Sequence, residues 1–288
     1  MCTTARRTDL ARECLGNAPF PAGTAQTEYS FSHGDIHIID VITPDAAERL
    51  GKPCGRYVTV STGRLWLMDD AGVQAVTRAV RTAVCQLLQR ICPWCKRVLY
   101  VGLGNRLLTV DAIGARVLDQ LPVTRHLRTQ APELAGEIES AAFTPGVVGQ
   151  TGIETAELVK GAVDHVHPDV VIVIDALAAR GTERLATTVQ LTDTGISPGS
   201  GMGNHRKGLT RETLGVPVLA VGVPTVVDSS TLVLEALEQA GLSSDAFPAL
   251  SEVLENGRSF FVTRKDSDLA VESLSAMLAN ALTGVPSL

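Results

Sequence analysis

Residues 97–121 have the sequence RVLYVGLGNRLLTVDAIGARVLDQL, in which a strand, a glycine turn and a helix follow one another directly. The apolar run at 97–103 predicts a buried strand, and the apolar spacing at 111–121 predicts a helix. The same elements recur downstream, where a helix is predicted at 153–166 and a strand at 169–174. Helices that alternate with buried strands are typical of a largely parallel α/β sheet.

The rest of the chain extends this pattern without an internal repeat or a linker. Valines at spacings of three and four predict a long helix that ends at Ile91 and is capped by Asp69 or Asp70. The remaining predicted strands cover 29–42, 56–61, 187–192 and 216–221, and the remaining helices cover 229–240 and 266–282. We therefore predict a single α/β domain at 29–288, with a largely parallel sheet and helices on both faces, preceded by a mobile leader at 1–28.

Composition narrows the possible classes of protein. The chain has 288 residues, 45% of them hydrophobic, which is enough to bury a large core. Its apolar runs are far shorter than the roughly 20 residues of a membrane-spanning helix, and its N-terminus lacks the apolar stretch of a secretory signal. Six cysteines are too sparse for a disulfide scaffold, and a net charge of −6 disfavours nucleic acid as a partner. These features predict a cytoplasmic protein with reduced thiols that binds neither a membrane nor nucleic acid directly.

Two aspartates follow strands of the predicted parallel sheet. Asp175 comes directly after the apolar run 169–174, and Asp111 follows the glycine turn after 97–103. Because ligands bind at the carboxyl ends of parallel strands, both side chains are expected to face one crevice. Two neighbouring carboxyl groups cannot both ionise at low cost, so one keeps a proton while the other can activate water. Capping of the following helix is the alternative role for either aspartate.

Other motifs in the chain are incomplete. The third glycine of a dinucleotide-binding fingerprint would fall at Leu107, and the glycine-rich stretch 198–207 lacks the pattern of a phosphate-binding loop. That stretch fits a substrate-contacting loop or a plain surface turn. Cys92 and Cys95 have no second pair that would complete a zinc site, and no serine, cysteine or zinc peptidase signature is present. We therefore assign no cofactor and no metal ligand.

Several segments together resemble the germination proteases of spore-forming bacteria. They include VGLGN at 101–105, PGVVGQTGIET at 145–155, IDALAAR at 174–180 and GVPTVVD at 222–228. The likeness extends from about residue 7 to residue 236 and returns at 261–263. The resemblance implies an endopeptidase, made as a zymogen, that initiates the degradation of small acid-soluble spore proteins during germination. It also implies a homotetramer in the cytoplasm of the forespore or spore core.

The resemblance also implies which residues act. The two proposed catalytic aspartates of the family match Asp111 and Asp175. We expect Asp111, at a helix start, to be the charged base, and Asp175, after an apolar strand, to be the neutral acid. The fold is similar to that of hydrogenase-maturation endopeptidases, whose corresponding acids bind a metal. A metal-dependent endopeptidase, or a non-catalytic metal-binding relative, is therefore the alternative function.

Substrates of the family are cut beside an acidic residue, which requires a cationic partner in the crevice. The candidates on loops at that side of the sheet are Arg180, Arg206 and Lys207.

The leader resembles such a substrate itself. Residues 8–11, Thr-Asp-Leu-Ala, are similar to the sites that the family cuts. This predicts self-cleavage between Asp9 and Leu10 and a short propeptide of about residues 1–9. A surface helix that begins in this segment is the alternative. Relative to longer family members, the leader is short and the stretch 242–258 is abbreviated. These two departures bear on zymogen control and on assembly contacts, and they leave the assignment of the aspartates unchanged.

Overall fold

The computed structural model describes residues 8–14, 18–199, 206–242, 250, 254 and 260–285. The strands in these ranges are β1 Thr24–Phe31, β2 Gly34–Val41, β3 Gly55–Ser61, β4 Arg97–Gly102, β5 Glu139–Phe143, β6 Val170–Ala179, β7 Thr188–Thr192, β8 Val218–Asp228 and β9 Phe261–Val262. The helices are α1 Pro44–Leu50, α2 Asp70–Ile91, α3 Ile113–Leu118, α4 Leu127–Gln130, α5 Val148–Thr151, α6 Thr155–Val166, α7 Arg211–Leu214, α8 Ser229–Gln239 and α9 Ser267–Leu282. The strands form one mixed sheet in the order β1-β2-β3-β7-β8-β6-β4-β5, and β9 pairs with β8.

The strands β5, β4, β6 and β8 lie side by side and run parallel, as the alternation of helices and strands predicts. Gly102 at the end of β4 pairs with Ile174 of β6, and Ile174 pairs with Val221 of β8. This register places the turn after β4 next to Asp175.

The other half of the sheet is antiparallel. Phe31 and Gly34 pair across a two-residue turn, and so short a link joins only antiparallel strands. The stretch 29–42, predicted as one strand, is therefore part of a hairpin of two strands. β3 pairs antiparallel with β2 and β7, and β7 pairs antiparallel with β8. Parallel pairing is thus confined to the part of the sheet that carries Asp175.

The predicted boundary of the leader at residue 29 is wrong. β1 begins at Thr24, and Leu10 and Ala11 are 0% and 2% exposed. The cause is tertiary, since Leu10 packs against Leu177 and other apolar residues distant in sequence, which no local period could reveal. Residues 1–7 and 15–17 of the leader lie outside the described residues.

Helices cover both faces of the parallel strands, as predicted. Val98, Tyr100 and Ile172 belong to a core that includes residues of α2, α3 and α9. Leu99 and Val173 point the other way and share a second core with α6. No helix among the described residues is long and apolar enough to span a membrane.

The long helix α2 forms where its valines predict it. Asp69 is the cap, because its side chain accepts a hydrogen bond from the Gly72 N–H. Val76, Val80 and Val84 are fully buried along one side of the helix. Their spacing of four residues is what commits this face to the core.

Candidate active site

Glycines at the end of β4 determine where Asp111 lies. Gly104 has a φ of +95°, and a Cβ at that position would lie 1.9 Å from the carbonyl oxygen of Asp111. A Cβ on Gly102 would lie 2.5 Å from the carbonyl oxygen of Gly114 in α3. Residues without a side chain are therefore required for the turn and α3 to pack directly against the strand end.

Two hydrogen bonds fix Asp111 within this turn. The Asn105 N–H donates to Oδ2 of Asp111 at 2.7 Å, and the Thr225 hydroxyl of β8 donates to the Val110 carbonyl at 2.6 Å. Asp111 is the last residue of a short 3-10 turn, and α3 begins at Ile113. The observed helix α3 therefore begins two residues later than the helix predicted at 111–121, and it is shorter.

Asp175 lies within β6 and not at its end, because the strand continues to Ala179. It pairs with Gly222 of β8, and its Oδ1 accepts a hydrogen bond from the Ala176 N–H at 2.9 Å. The residue is 6% exposed. A carboxyl group buried to this extent ionises at a high cost in free energy.

Asp111 and Asp175 line the same cavity, which has a volume of about 370 Å³. Leu103, Val147 and Phe261 supply apolar parts of its wall. The structure thus brings the two aspartates to one crevice beside parallel strands. This is the arrangement that their positions after apolar strands predict.

Burial raises the pKa of both carboxyl groups, and that of Asp175 lies well above the ordinary range. The charges of Asp111 and Asp9 raise the pKa of Asp175 further. On Asp111, the Asn105 amide and the charge of Arg206 oppose the effect of burial. Asp111 therefore ionises first, while Asp175 keeps its proton. Desolvation is the largest cause of both shifts, and the pKa of Asp111 is raised and not lowered, contrary to the effect expected of a helix start.

The three cations predicted to bind substrate lie in different places. Arg206 lines the aspartate cavity. Lys207 is exposed, and Arg180 donates from Nη1 to the carbonyl oxygen of Glu13 at 3.3 Å. The structure therefore brings Arg206 to the aspartates and places the other two outside the residues that line this cavity.

The predicted self-cleavage site is held at the same cavity. Asp9 is one of the lining residues. Its N–H donates to the Ala178 carbonyl at 3.0 Å, and its Oδ2 accepts from the Ala178 N–H at 2.9 Å. Leu10 is fully buried beside Leu177, and Ala11–Glu13 forms one short, largely buried turn. The alternative of a surface helix is therefore wrong, because the segment is buried and Asp9 is bonded to Ala178 of β6.

Two side chains that hold this segment were not identified from the sequence. Lys52 Nζ and Gln190 Nε2 both donate to the carbonyl oxygen of Asp9, at 2.9 Å and 3.0 Å. Gln190 also accepts a hydrogen bond from the Ala11 N–H through Oε1 at 2.6 Å. Lys52 follows the left-handed residue Gly51 that ends α1, and Gln190 lies on β7. No local motif marks either residue, because the antiparallel half of the sheet is what brings them to Asp9.

Glu13 occupies a further site that the sequence did not indicate. Its carboxylate accepts hydrogen bonds from the N–H groups of Arg180 at 2.7 Å and Gly181 at 3.2 Å. It also pairs with Arg184 Nε at 3.2 Å and accepts from the Thr8 hydroxyl. Burial outweighs these contacts and raises the pKa of Glu13. The chain after β6 therefore provides a site for an acidic side chain four residues beyond Asp9.

No metal ligands are assigned. Among the described residues, no group of three or more His, Cys, Asp or Glu side chains is arranged to hold a metal ion. The thiols of Cys92 and Cys95 are free, and burial raises the pKa of each. A raised pKa disfavours the thiolate that redox chemistry and zinc binding require.

The chain is similar to curated proteins named germination protease. A family model with that description matches residues 23–240. The relative from Caldanaerobacter subterraneus is 40% identical, with 96% of this chain and 92% of the relative covered. The relative from Clostridium perfringens is 38% identical, with 85% of this chain and 82% of the relative covered. The relative from Bacillus subtilis is 42% identical, with 81% of this chain and 66% of the relative covered.

One solved structure with some similarity is a NiFe hydrogenase maturation protease from Thermococcus kodakarensis. It is 16% identical and has a TM-score of 0.34, with 68% of this chain and 98% of that chain covered. A TM-score this low supports no functional assignment.

Proposed function

The chain belongs to the germination protease family, and from this premise we propose that it is the endopeptidase that initiates degradation of small acid-soluble spore proteins during germination. One structural observation supports peptide hydrolysis by the aspartate pair. Asp111 and Asp175 line a single cavity, and Asp9, at the predicted self-cleavage site, lines it with them. Two acids of different proton affinity thus adjoin a peptide segment of the chain itself.

In the proposed mechanism, ionised Asp111 is the general base and neutral Asp175 is the general acid. Asp111 accepts a proton from a water molecule as the water oxygen adds to the carbonyl carbon of the peptide bond. When the carbon–nitrogen bond breaks, Asp175 donates its proton to the leaving amine. The pair returns to its starting state when the proton on Asp111 is transferred to Asp175, so no proton is gained or lost overall.

We propose that the leader keeps the enzyme inactive until it is cut between Asp9 and Leu10. A substrate-like segment attached to the chain has a high effective concentration at the cavity. The sequence predicts that loss of residues 1–9 frees the crevice. However, Leu10 is fully buried and Glu13 is held by Arg184, so the new N-terminus must also leave its site. Activation is therefore proposed to need both cleavage and displacement of residues 10–14.

The leader also suggests how substrates bind. An acidic residue before the cleaved bond would take the place of Asp9, where the Ala178 N–H binds its carboxylate and Arg206 lines the same cavity. A second acidic residue four positions later would take the place of Glu13 beside Arg184.

The test is incubation of the purified full-length chain with a small acid-soluble spore protein, with and without a chelator, followed by gel electrophoresis and mass spectrometry. Discrete fragments that persist under chelation and are lost in Asp175→Asn are expected. Fragments that disappear with the chelator would favour the metal-dependent endopeptidase. A wild-type chain that forms no fragments after its leader has been trimmed would favour the non-catalytic relative.

Assembly and location follow from the family alone. We propose a homotetramer in the cytoplasm of the forespore or spore core. Light scattering coupled to size exclusion measures the first, and a fluorescent fusion in sporulating cells shows the second.

A further inference from the structure

The carbonyl oxygen of Asp9 accepts two hydrogen bonds from side chains that the proposed mechanism does not use. Lys52 Nζ lies 2.9 Å from this oxygen and Gln190 Nε2 lies 3.0 Å from it. This carbonyl belongs to the peptide bond between Asp9 and Leu10, the bond proposed to be cut. Gln190 is 6% exposed, so water competes little for its hydrogen bond to this oxygen. Lys52 is half-buried.

The two donors and the two proposed catalytic aspartates line different cavities. Asp111 and Asp175 line one cavity, whereas Lys52 and Gln190 line a second cavity of about 370 Å³. Asp9 lines both cavities. A water molecule activated in the first cavity would therefore approach a carbonyl whose oxygen is bound from the second.

Addition of water to a peptide carbonyl moves negative charge onto the carbonyl oxygen. An aspartate pair supplies a base and an acid but no positive charge at that oxygen. A lysine ammonium and a buried amide N–H that already point at the oxygen would stabilise the charge as it develops. Because both donors are in place before the reaction, little reorganisation is needed in the transition state.

We infer that Lys52 and Gln190 are further catalytic residues, which bind the carbonyl oxygen of the peptide bond that is cut and stabilise its negative charge. This inference rests on the proposed endopeptidase activity. It applies to self-cleavage after Asp9 and to substrates that take the place of the leader.

The competing explanation is that the two side chains merely anchor the leader. Gln190 provides the means to separate the two roles, because its amide makes two different contacts. Oε1 accepts from the Ala11 N–H at 2.6 Å, and Nε2 donates to the Asp9 carbonyl. Gln190→Glu keeps an acceptor for the Ala11 N–H and replaces the donor to the carbonyl with an oxygen. An anchoring role is then largely preserved, while stabilisation of the oxyanion is lost.

The experiment uses wild-type and variant proteins that have been incubated until mass spectrometry shows complete cleavage after Asp9. It then measures their kcat and KM on a synthetic peptide with the sequence of residues 4–14. Gln190→Glu and Lys52→Met should each lower kcat about 10²- to 10³-fold and change KM by less than about threefold. Lys52→Arg keeps a cationic donor and should lose less than about tenfold. Lys160→Met on α6, which lines neither cavity, should retain wild-type values.

A peptide phosphinate, in which the bond to be cut is replaced by a tetrahedral anion, gives a second readout. Its inhibition constant should weaken in Gln190→Glu and Lys52→Met by the same factor as kcat/KM falls. Variants that keep the wild-type kcat, or that change KM alone, would overturn the inference and show that the two residues only anchor peptide. If the wild-type chain cleaves no peptide, the proposed endopeptidase activity itself is wrong.

Discussion

Leu10→Ala tests how strongly the leader is held in its site. Leu10 is 0% exposed and packs against Leu177, Leu185 and Val227. Truncation of a fully buried leucine to alanine costs about 2–5 kcal/mol. If this loss falls on docking of the leader, the ratio of docked to undocked leader decreases roughly 30- to 4,000-fold. The catalytic domain would remain folded, because the change is confined to a peripheral segment.

Hydrogen exchange followed by mass spectrometry measures this ratio, in an Asp175→Asn background that keeps the chain intact. The N–H groups of Asp9 and Ala11 are hydrogen bonded in the docked leader, so their exchange should accelerate by the same factor. Arg12→Ala is the matched control, because its ion pair to β1 is a weak surface contact at 3.5 Å. Unchanged protection of the leader in Leu10→Ala would refute the docking. Faster exchange throughout the sheet would show that Leu10 stabilises the whole fold instead.

Four further predictions concern the aspartate cavity. The rate of peptide cleavage should follow a bell-shaped pH profile whose two limbs both lie above the ordinary pKa of an aspartate, since burial raises the pKa of Asp111 and Asp175. A rate independent of pH would contradict this. The raised pKa of Asp175 stabilises the folded wild-type protein at low pH, and this stabilisation is lost as the pH rises through that pKa. Asp175→Asn has no such group, so its Tm should increase relative to that of the wild type as the pH is raised. Arg206→Ala should raise KM about tenfold for a Glu-containing peptide and less for its Gln analogue. Lys207 is exposed, so Lys207→Ala should leave the KM of both peptides unchanged. Equal effects of Arg206→Ala on both peptides would exclude recognition of the substrate charge by Arg206. Gly104→Ala should lower the free energy of unfolding by about 2–4 kcal/mol and remove most activity, and a variant with normal turnover would contradict the role of the turn.

The parallel part of the fold and the aspartate pair could be predicted from the sequence because their signals are local. The strand around Val98 and the helix α2 have complete apolar patterns, and both form where those patterns place them. Asp111 and Asp175 follow apolar strands, and parallel pairing alone is enough to bring their segments together. Catalysis by this pair remains a proposal.

The contacts around the leader could not be predicted because they depend on tertiary structure. Leu10 and Glu13 are buried in a segment that has no apolar period of its own. Lys52 and Gln190 reach Asp9 through α1 and the antiparallel strand β7, whose position in the sheet cannot be derived from alternation of helices and strands. The sequence does not reveal the degree of burial either, which is why the pKa of Asp111 is raised although a helix start was expected to lower it.

Determination of the N-terminus after incubation at mildly acidic pH, where the carboxyl pair can share one proton, shows whether Asp111 and Asp175 cleave peptide bonds. Mass spectrometry of the wild-type chain should reveal a new N-terminus at Leu10, from cleavage after Asp9. Asp111→Asn and Asp175→Asn should each slow this reaction by at least ~10³-fold and stay full length while their circular dichroism spectra remain unchanged. Trimming of either variant at the same bond and at the wild-type rate would show that the substituted aspartate takes no part in the chemistry.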